Sequence, residues 1–64
     1  MCLATVYNIS KPEPESIVLE YVSRIDVNGT EITLTDVMGE CKVVEGTISM
    51  VDLTGGVVKI NCPE

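Results

Sequence analysis

The chain contains no histidine, tryptophan or phenylalanine, and its only aromatic residues are Tyr7 and Tyr21. The lack of histidine excludes imidazole-based catalytic triads and zinc sites that use histidine. No GxxxxGK or GxGxxG stretch is present to hold a phosphate. The acidic residues are scattered, and their spacing brings no pair together as general acid and base. The sequence therefore predicts a protein that is not an enzyme.

Basic residues are also few. Ten acids outnumber four bases, which gives a net charge of −6; the bases are Lys11, Arg24, Lys42 and Lys59. This charge repels phosphate backbones, so we do not expect binding to nucleic acid. No apolar run approaches the roughly 20 residues that cross a membrane, and we expect no signal peptide before Cys2. We expect a cytoplasmic protein with reduced thiols and no membrane association.

The length of 64 residues predicts one small domain spanning residues 1–64. A chain this short buries only about 60% of the surface that its unfolded form exposes, so its core is marginal. The three cysteines are too few for a disulfide scaffold. Because association enlarges a small core, we expect a homodimer.

The pattern of apolar residues predicts an all-β protein. Val, Ile and Thr are frequent, Ala4 is the only alanine, and such residues favour half-buried strands. Alternation and turn signals divide the chain into about five or six short antiparallel strands, which is typical of a small SH3-like or Sm-like barrel. Strands are expected over residues 2–7, 16–27, 30–35, 41–44, 47–53 and 57–60, with a loop or hairpin tip over 11–15.

Two local features sharpen this prediction. The apolar parity of the second strand changes near Ser23-Arg24, which indicates a bulge or a strong bend. Asn28-Gly29 predicts a two-residue type I′ hairpin turn. Alternation predicts a core whose members are Val6, Leu19, Ile32, Leu34, Ile48 and Val57, together with Val22 and Met50.

Cys2 is the principal candidate for chemistry. If Met1 is removed, the α-amine and thiol of Cys2 can close a five-membered chelate ring on one metal ion, and such donors suit nickel, copper or zinc. The alternative is a small apolar thiol packed in the core. Two such termini at a dimer axis would supply two nitrogens and two sulfurs. Cys41 is expected to be a core thiol, whereas Cys62 is either exposed or packed against the first strand.

The opening residues Met1-Cys2-Leu3-Ala4 and the following strand resemble the CooT family of small nickel-binding proteins, which are accessory to carbon monoxide dehydrogenase maturation. The stretches over residues 34–40, 44–48 and 51–60 are similar to that family as well. The resemblance implies a dimeric β-barrel that binds nickel(II) through Cys2, with carbon monoxide dehydrogenase or another nickel enzyme as its client. It assigns no role to Cys41 or Cys62.

Two functions follow from these observations. The first is a nickel(II)-binding accessory protein, or metallochaperone, that holds the metal through Cys2 at a dimer interface. The second is a small β-barrel module that binds RNA or another protein without a metal, because the family has also been labelled as predicted RNA-binding. The acidic charge and the scarcity of aromatic side chains favour the first function.

Overall fold

The computed structural model describes residues 3–11 and 16–63, and within them it shows six strands and no helix. The strands are β1 (Ala4–Asn8), β2 (Ile17–Asn28), β3 (Glu31–Asp36), β4 (Cys41–Glu45), β5 (Thr47–Asp52) and β6 (Val57–Asn61). They form one sheet in the order β4-β3-β2-β1-β6-β5. The predicted all-β class is confirmed. The loop expected over residues 11–15 falls outside the described residues from position 12 onward.

Strand β2 bends and belongs to two parts of the sheet. Its residues 17–22 pair with β1, and its residues 22–28 pair with β3, both antiparallel. The register with β3 shifts between Val22 and Arg24, so Ser23 is the extra residue of a bulge. Tyr21, just before it, has a φ of +58°. The bend predicted near Ser23-Arg24 is therefore confirmed, and it lets the sheet turn back on itself.

A second corner lies at Gly46, the single residue between β4 and β5. These strands are the two opposite edges of the sheet, so the chain crosses from one edge to the other within one residue. A Cβ at position 46 would overlap the backbone carbonyl oxygen of Asn61, and only glycine permits this approach. The N–H of Gly46 donates to the Thr30 carbonyl at 2.8 Å.

The two corners divide the sheet into two halves that face each other. The first half contains β2 residues 17–22, β1, β6 and β5, and the second half contains β2 residues 22–28, β3 and β4. Two details differ from the expected antiparallel barrel. Strands β1 and β6 are parallel, and no ladder among the described residues joins β4 to β5, so hydrogen bonds do not close the barrel.

The core lies between the halves and draws on both. Its buried apolar residues are Val6, Val22, Ile32, Leu34, Val58 and Ile60, and Leu19 packs partly buried against them. The prediction is thus confirmed for most of these positions. It is wrong for Val57, because the register of β6 turns Val58 and Ile60 inward and leaves Val57 half-buried. Both parities of β6 are apolar, and alternation alone could not choose between them.

Strand β5 contains a bulge that changes its parity. Ile48 pairs with Ile60 but Met50 pairs with Lys59, so Ser49 is an extra residue. As a result Ile48 and Val51 share the inward face, and Met50 points outward beside Lys59. The prediction of Ile48 and Met50 as core residues is wrong, since they are 40% and 37% exposed. The second half does not cover β5.

Short turns connect the remaining strands. The β2–β3 loop consists of Gly29 and Thr30, one position later than expected, and Asn28 pairs with Glu31. Of the two loop residues only Gly29 has a positive φ, at 65°, which fits a type II′ turn rather than type I′. The described part of the chain has no helix long and apolar enough to cross a membrane.

Candidate functional site

The predicted metal ligand, Cys2, lies outside the described residues, but the structure shows the surroundings of the strand that it precedes. The N–H of Thr5, near the start of β1, donates to the Gly56 carbonyl at 2.9 Å. Gly56 has a φ of 69°, and a Cβ on it would lie 3.0 Å from the Leu3 carbonyl oxygen. The glycine thus allows the β5–β6 turn to sit directly against the first described residues.

A cavity of about 230 Å³ opens beside the start of β1, and we call it the N-terminal cleft. It separates the end of β5 from the second part of β2. Its lining is mostly aliphatic and consists of Ala4, Val22, Ser23, Arg24, Ile25, Val51, Leu53 and Val58. Leu53 is 75% exposed at its rim. Apolar surroundings of this kind limit the access of solvent to a site.

Few charges lie at this cleft. Among the described residues, Arg24 is the only charged one in its lining, and its Nε donates to the Asp26 carboxylate at 3.0 Å. Both side chains are exposed, so the pair contributes little to stability. Asp52, the last residue of β5, accepts hydrogen bonds at Oδ1 from the N–H groups of Thr54 and Gly55, at 3.1 and 3.0 Å. This carboxylate organises the turn.

Cys41 is exposed, so its prediction as a core thiol is wrong. On β4 the inward positions are those of Lys42 and Val44, because these residues pair with buried Leu34 and Ile32. Cys41 therefore takes the outer face with Val43. Its Sγ lies 3.5 Å from the Thr35 hydroxyl oxygen, a contact between two surface groups.

Cys62 packs against the core, which agrees with one of the two alternatives considered for it. Strands β1 and β6 are parallel, with Thr5 opposite Val57 and Asn8 opposite Ile60. Cys62 follows the end of β6, so it lies at the end of the first half opposite to the start of β1. Within one chain it is remote from the residues that follow Cys2.

A buried asparagine that sequence reasoning missed fixes the position of Cys62. Asn8 is 7% exposed, and its Oδ1 accepts from the N–H groups of Ser10 and Cys62 at 3.1 and 3.3 Å. The Ser10 hydroxyl lies 2.8 Å from the same oxygen and 3.0 Å from the Cys62 carbonyl. An asparagine at the end of a strand is a common turn residue, and nothing in its sequence context indicates this link across 54 residues.

No complete metal site is formed by the described residues. Among residues 3–11 and 16–63, no three His, Cys, Asp or Glu side chains are grouped so that they could hold a metal. A larger groove of about 500 Å³ lies along the outer face of β1, β6 and β5, and it includes Lys11 and Lys59 but no cysteine. The described residues therefore provide no ready-made cluster to which Cys2 would simply be added.

Fold and site define this molecule as a small, all-β, single-sheet protein with an apolar cleft beside its N-terminal strand. The family model described as CO dehydrogenase accessory protein CooT matches residues 1–61. The chain therefore belongs to the CooT family, as the resemblance of its sequence indicated, and it has an accessory role for CO dehydrogenase rather than a catalytic one.

The fold is also found in a solved structure. The crystal structure described as CooT from Carboxydothermus hydrogenoformans superposes with a TM-score of 0.83, at 19% sequence identity, covering 98% of this chain and 100% of that chain. At this identity the likeness shows the fold alone. No curated protein matches the chain.

Proposed function

We propose that this protein binds nickel(II) through Cys2 and supplies it, in the cytoplasm, for the maturation of carbon monoxide dehydrogenase. The observation that carries the proposal is membership of the CooT family over residues 1–61, a range that includes Cys2. Nickel is the cargo, and thiolate and amine donors match its preference for nitrogen and sulfur ligands.

The chemistry of the N-terminus supports this assignment. The pKa of a free α-amine is about 8 and that of a free thiol is about 8.5, so metal binding at neutral pH displaces protons from both groups. Once these protons are lost, the amine nitrogen and the thiolate sulfur of one residue are both available as metal donors. Two peptide units, which span about 7 Å at most, separate Cys2 from Ala4. This short spacing supports a metal site near the N-terminal cleft.

The number of donors supports a homodimer. One N-terminal cysteine supplies two donors, whereas square-planar nickel(II) takes four. Among the described residues that line the N-terminal cleft with Ala4, none has a thiol or an imidazole to complete the set. A two-fold axis repeats each residue, so a second copy can supply the missing pair.

The distribution of bases argues against the alternative of an RNA-binding module. The Lys42 ammonium donates to the Val18 carbonyl at 3.3 Å, and Arg24 is paired with Asp26. Lys11 and Lys59 share one groove with Asp52. A handful of phosphates requires a broader basic face than these residues form.

Nickel titration of the protein with Met1 removed tests the proposal. Cys2→Ser replaces a thiolate with a hydroxyl that stays protonated at pH 7, so the thiolate-to-nickel absorbance should disappear and affinity should fall by more than about 100-fold. Cys41→Ser is the matched control, because its thiol is exposed on the outer face, and it should bind like the wild type. Equal nickel affinity in Cys2→Ser and wild type would refute the assignment.

A second titration tests the role of the amine. A protein that keeps Met1 has its Cys2 nitrogen in a peptide bond, so the amine–thiolate chelate cannot form. It should bind nickel more weakly at pH 7 and regain affinity at higher pH, where an amide nitrogen can be deprotonated. Mass spectrometry of the same samples establishes which form is present.

A further inference from the structure

The groove of about 500 Å³ on the outer face of β1, β6 and β5, which we call the outer groove, contains no cysteine. Its volume lies within the range of about 300–1,000 Å³ that is typical of sites for small molecules. The strand register places Tyr7, Lys59 and Met50 side by side across β1, β6 and β5, and all three line the groove. The outer groove is therefore a built recess of suitable size for a ligand.

A buried hydroxyl in the lining of the outer groove has no partner. Ser16 is 4% exposed, and its Oγ makes no hydrogen bond within the part of the chain that the structure describes. The Ser16 carbonyl accepts from the Asn8 N–H at 2.6 Å, so the end of β1 holds this residue in place. A buried hydroxyl without a hydrogen bond is costly, and most such groups in folded proteins are paired. The Ser16 hydroxyl thus indicates a ligand that supplies an acceptor.

The charges of the outer groove define the kind of acceptor. Among the described residues its lining contains two cations, Lys11 and Lys59, and one acid, Asp52. Oδ1 of Asp52 already accepts from the N–H groups of Thr54 and Gly55, and neither lysine forms an ion pair with a described residue. The lining therefore has a net charge of about +1 at pH 7, which matches a single carboxylate.

A phosphate fits the outer groove less well than a carboxylate. Phosphate sites commonly present several backbone N–H groups from a helix N-terminus or a glycine-rich turn. The described lining contains no glycine and no helical residue. A carboxylate needs fewer donors, and a hydroxyl and two ammonium groups satisfy its two oxygens.

The placement of the charges along the sheet gives the ligand a direction. The Lys11 N–H donates to the carbonyl of the last residue of β1 at 3.2 Å, and Ser16 is bonded to that same residue. Asp52 lies toward the start of β6, where it pairs with Val57. The donors for a carboxylate thus lie at one end of the groove and the acid at the other. The apolar part of the lining consists of Tyr7, Ile9, Met50 and Val57.

We infer that the outer groove binds a small organic monocarboxylate that has an apolar body. The Ser16 hydroxyl and the ammonium groups of Lys11 and Lys59 donate to the carboxylate. The apolar body covers Tyr7 and Met50, and burial of these partly exposed side chains favours binding. The inference is independent of the proposed function, because no ligand for nickel lies in this groove.

Titration of isotope-labelled protein, followed by amide chemical shifts in NMR spectra, tests the inference with three matched probes. Hexanoate has both the carboxylate and the apolar body, hexanamide lacks the charge, and acetate lacks the body. Hexanoate should bind with a Kd of about 1 mM and shift the amides of Ser16, Tyr7 and Lys59. The other two probes should bind about 10-fold more weakly or worse. Equal binding of hexanamide or of acetate would overturn the inference.

Ser16→Ala is the most informative variant, because its two readouts should move in opposite directions. The change removes an unpartnered hydroxyl from the free protein, so the free energy of unfolding should stay the same or rise. The Kd for hexanoate should nevertheless rise by about 10-fold or more, because a hydrogen bond to a charged group is lost. A marked fall in the free energy of unfolding would show that the hydroxyl is already paired and would overturn the inference.

A pair of double variants separates the groove from the overall charge. Lys11→Gln with Lys59→Gln should raise the Kd for hexanoate by about 10-fold. Arg24→Gln with Lys42→Gln is the matched control, because it removes the same charge from outside the groove, and it should bind like the wild type. Equal losses in both double variants would overturn the inference.

Two further measurements distinguish other outcomes. Cys2→Ser should bind hexanoate like the wild type whether or not it binds nickel, so the inference and the proposed function fail separately. Absence of hexanoate binding would overturn the inference. If apo CO dehydrogenase then bound the wild type but not the Lys11→Gln, Lys59→Gln protein, the outer groove would be a docking surface for the client instead of a site for a small ligand.

Discussion

Tyr21 offers a direct test of the bend in β2, because it is a non-glycine residue in the left-handed region, with φ at +58°. This conformation costs an L-residue other than glycine about 1 kcal/mol or more. The Tyr21 carbonyl accepts a hydrogen bond from the Val37 N–H at 2.9 Å, which holds the backbone in place. Relief of this strain should be measurable by substitution.

The magnitudes come from exposure and strain. The Tyr21 residue is 63% exposed, so roughly a third of a surface of about 200 Å² is covered, and its removal costs at most about 2 kcal/mol. Tyr21→Ala loses this contact and keeps the strained Cβ. Tyr21→Gly loses the same contact, relieves left-handed strain of about 1–2 kcal/mol and costs about 0.5–1 kcal/mol in backbone entropy. Glycine should therefore be more stable than alanine at this position by about 1 kcal/mol.

Urea unfolding at one fixed protein concentration measures the difference, and in a domain of this size it corresponds to about 4–8 °C in Tm. The matched control is the adjacent exposed residue Glu20, whose φ is not positive. There the order should reverse, with Glu20→Gly less stable than Glu20→Ala by about 0.5–1 kcal/mol. If alanine equals or exceeds glycine at position 21, the left-handed conformation is absent in solution and the account of the bend is wrong.

Two further predictions concern the opposite end of the molecule. Asn8→Ala removes an acceptor of buried N–H groups and should destabilise the fold by about 2 kcal/mol in urea unfolding, whereas Ser10→Ala should cost less than half of that; equal costs would refute the role of the Asn8 oxygen. Cys62→Ser should lower the free energy of unfolding by about 1 kcal/mol because Cys62 packs against the core, and Cys41→Ser should change it by less than about 0.5 kcal/mol. The reverse order would contradict the burial of these two thiols.

Sequence patterns predicted where strands run better than which faces they bury. The β3 stretch alternates strictly, with Ile32 and Leu34 between polar residues, so only one face can be apolar and both residues are buried. In β6 and β4 the adjacent pairs Val57-Val58 and Val43-Val44 give each face an apolar residue. In these strands, the pairing of β6 with β1 and of β4 with β3 decides which of the two faces is buried.

The candidate site likewise has one part that the sequence predicts and one part that only the structure shows. Cys2 could be predicted as a metal ligand from its position alone, because the amine and the thiol of an N-terminal cysteine belong to one residue. The cleft beside Ala4 could not be predicted, because Val51, Leu53 and Ile25 are brought together only by the bend of β2 and the bulge of β5. Neither the bend nor the bulge has a sequence signature that specifies its angle.

The sequence by itself thus determined the all-β class, the strand positions, the bend near Ser23 and the cysteine available for metal chemistry. These depend on local backbone preference and on side-chain type, which neighbouring residues encode. The tertiary structure alone decided which valines form the core, why Gly46 must be glycine, and where the molecule leaves apolar surface uncovered. These depend on which strands become neighbours, because a face is buried only when another part of the chain lies against it.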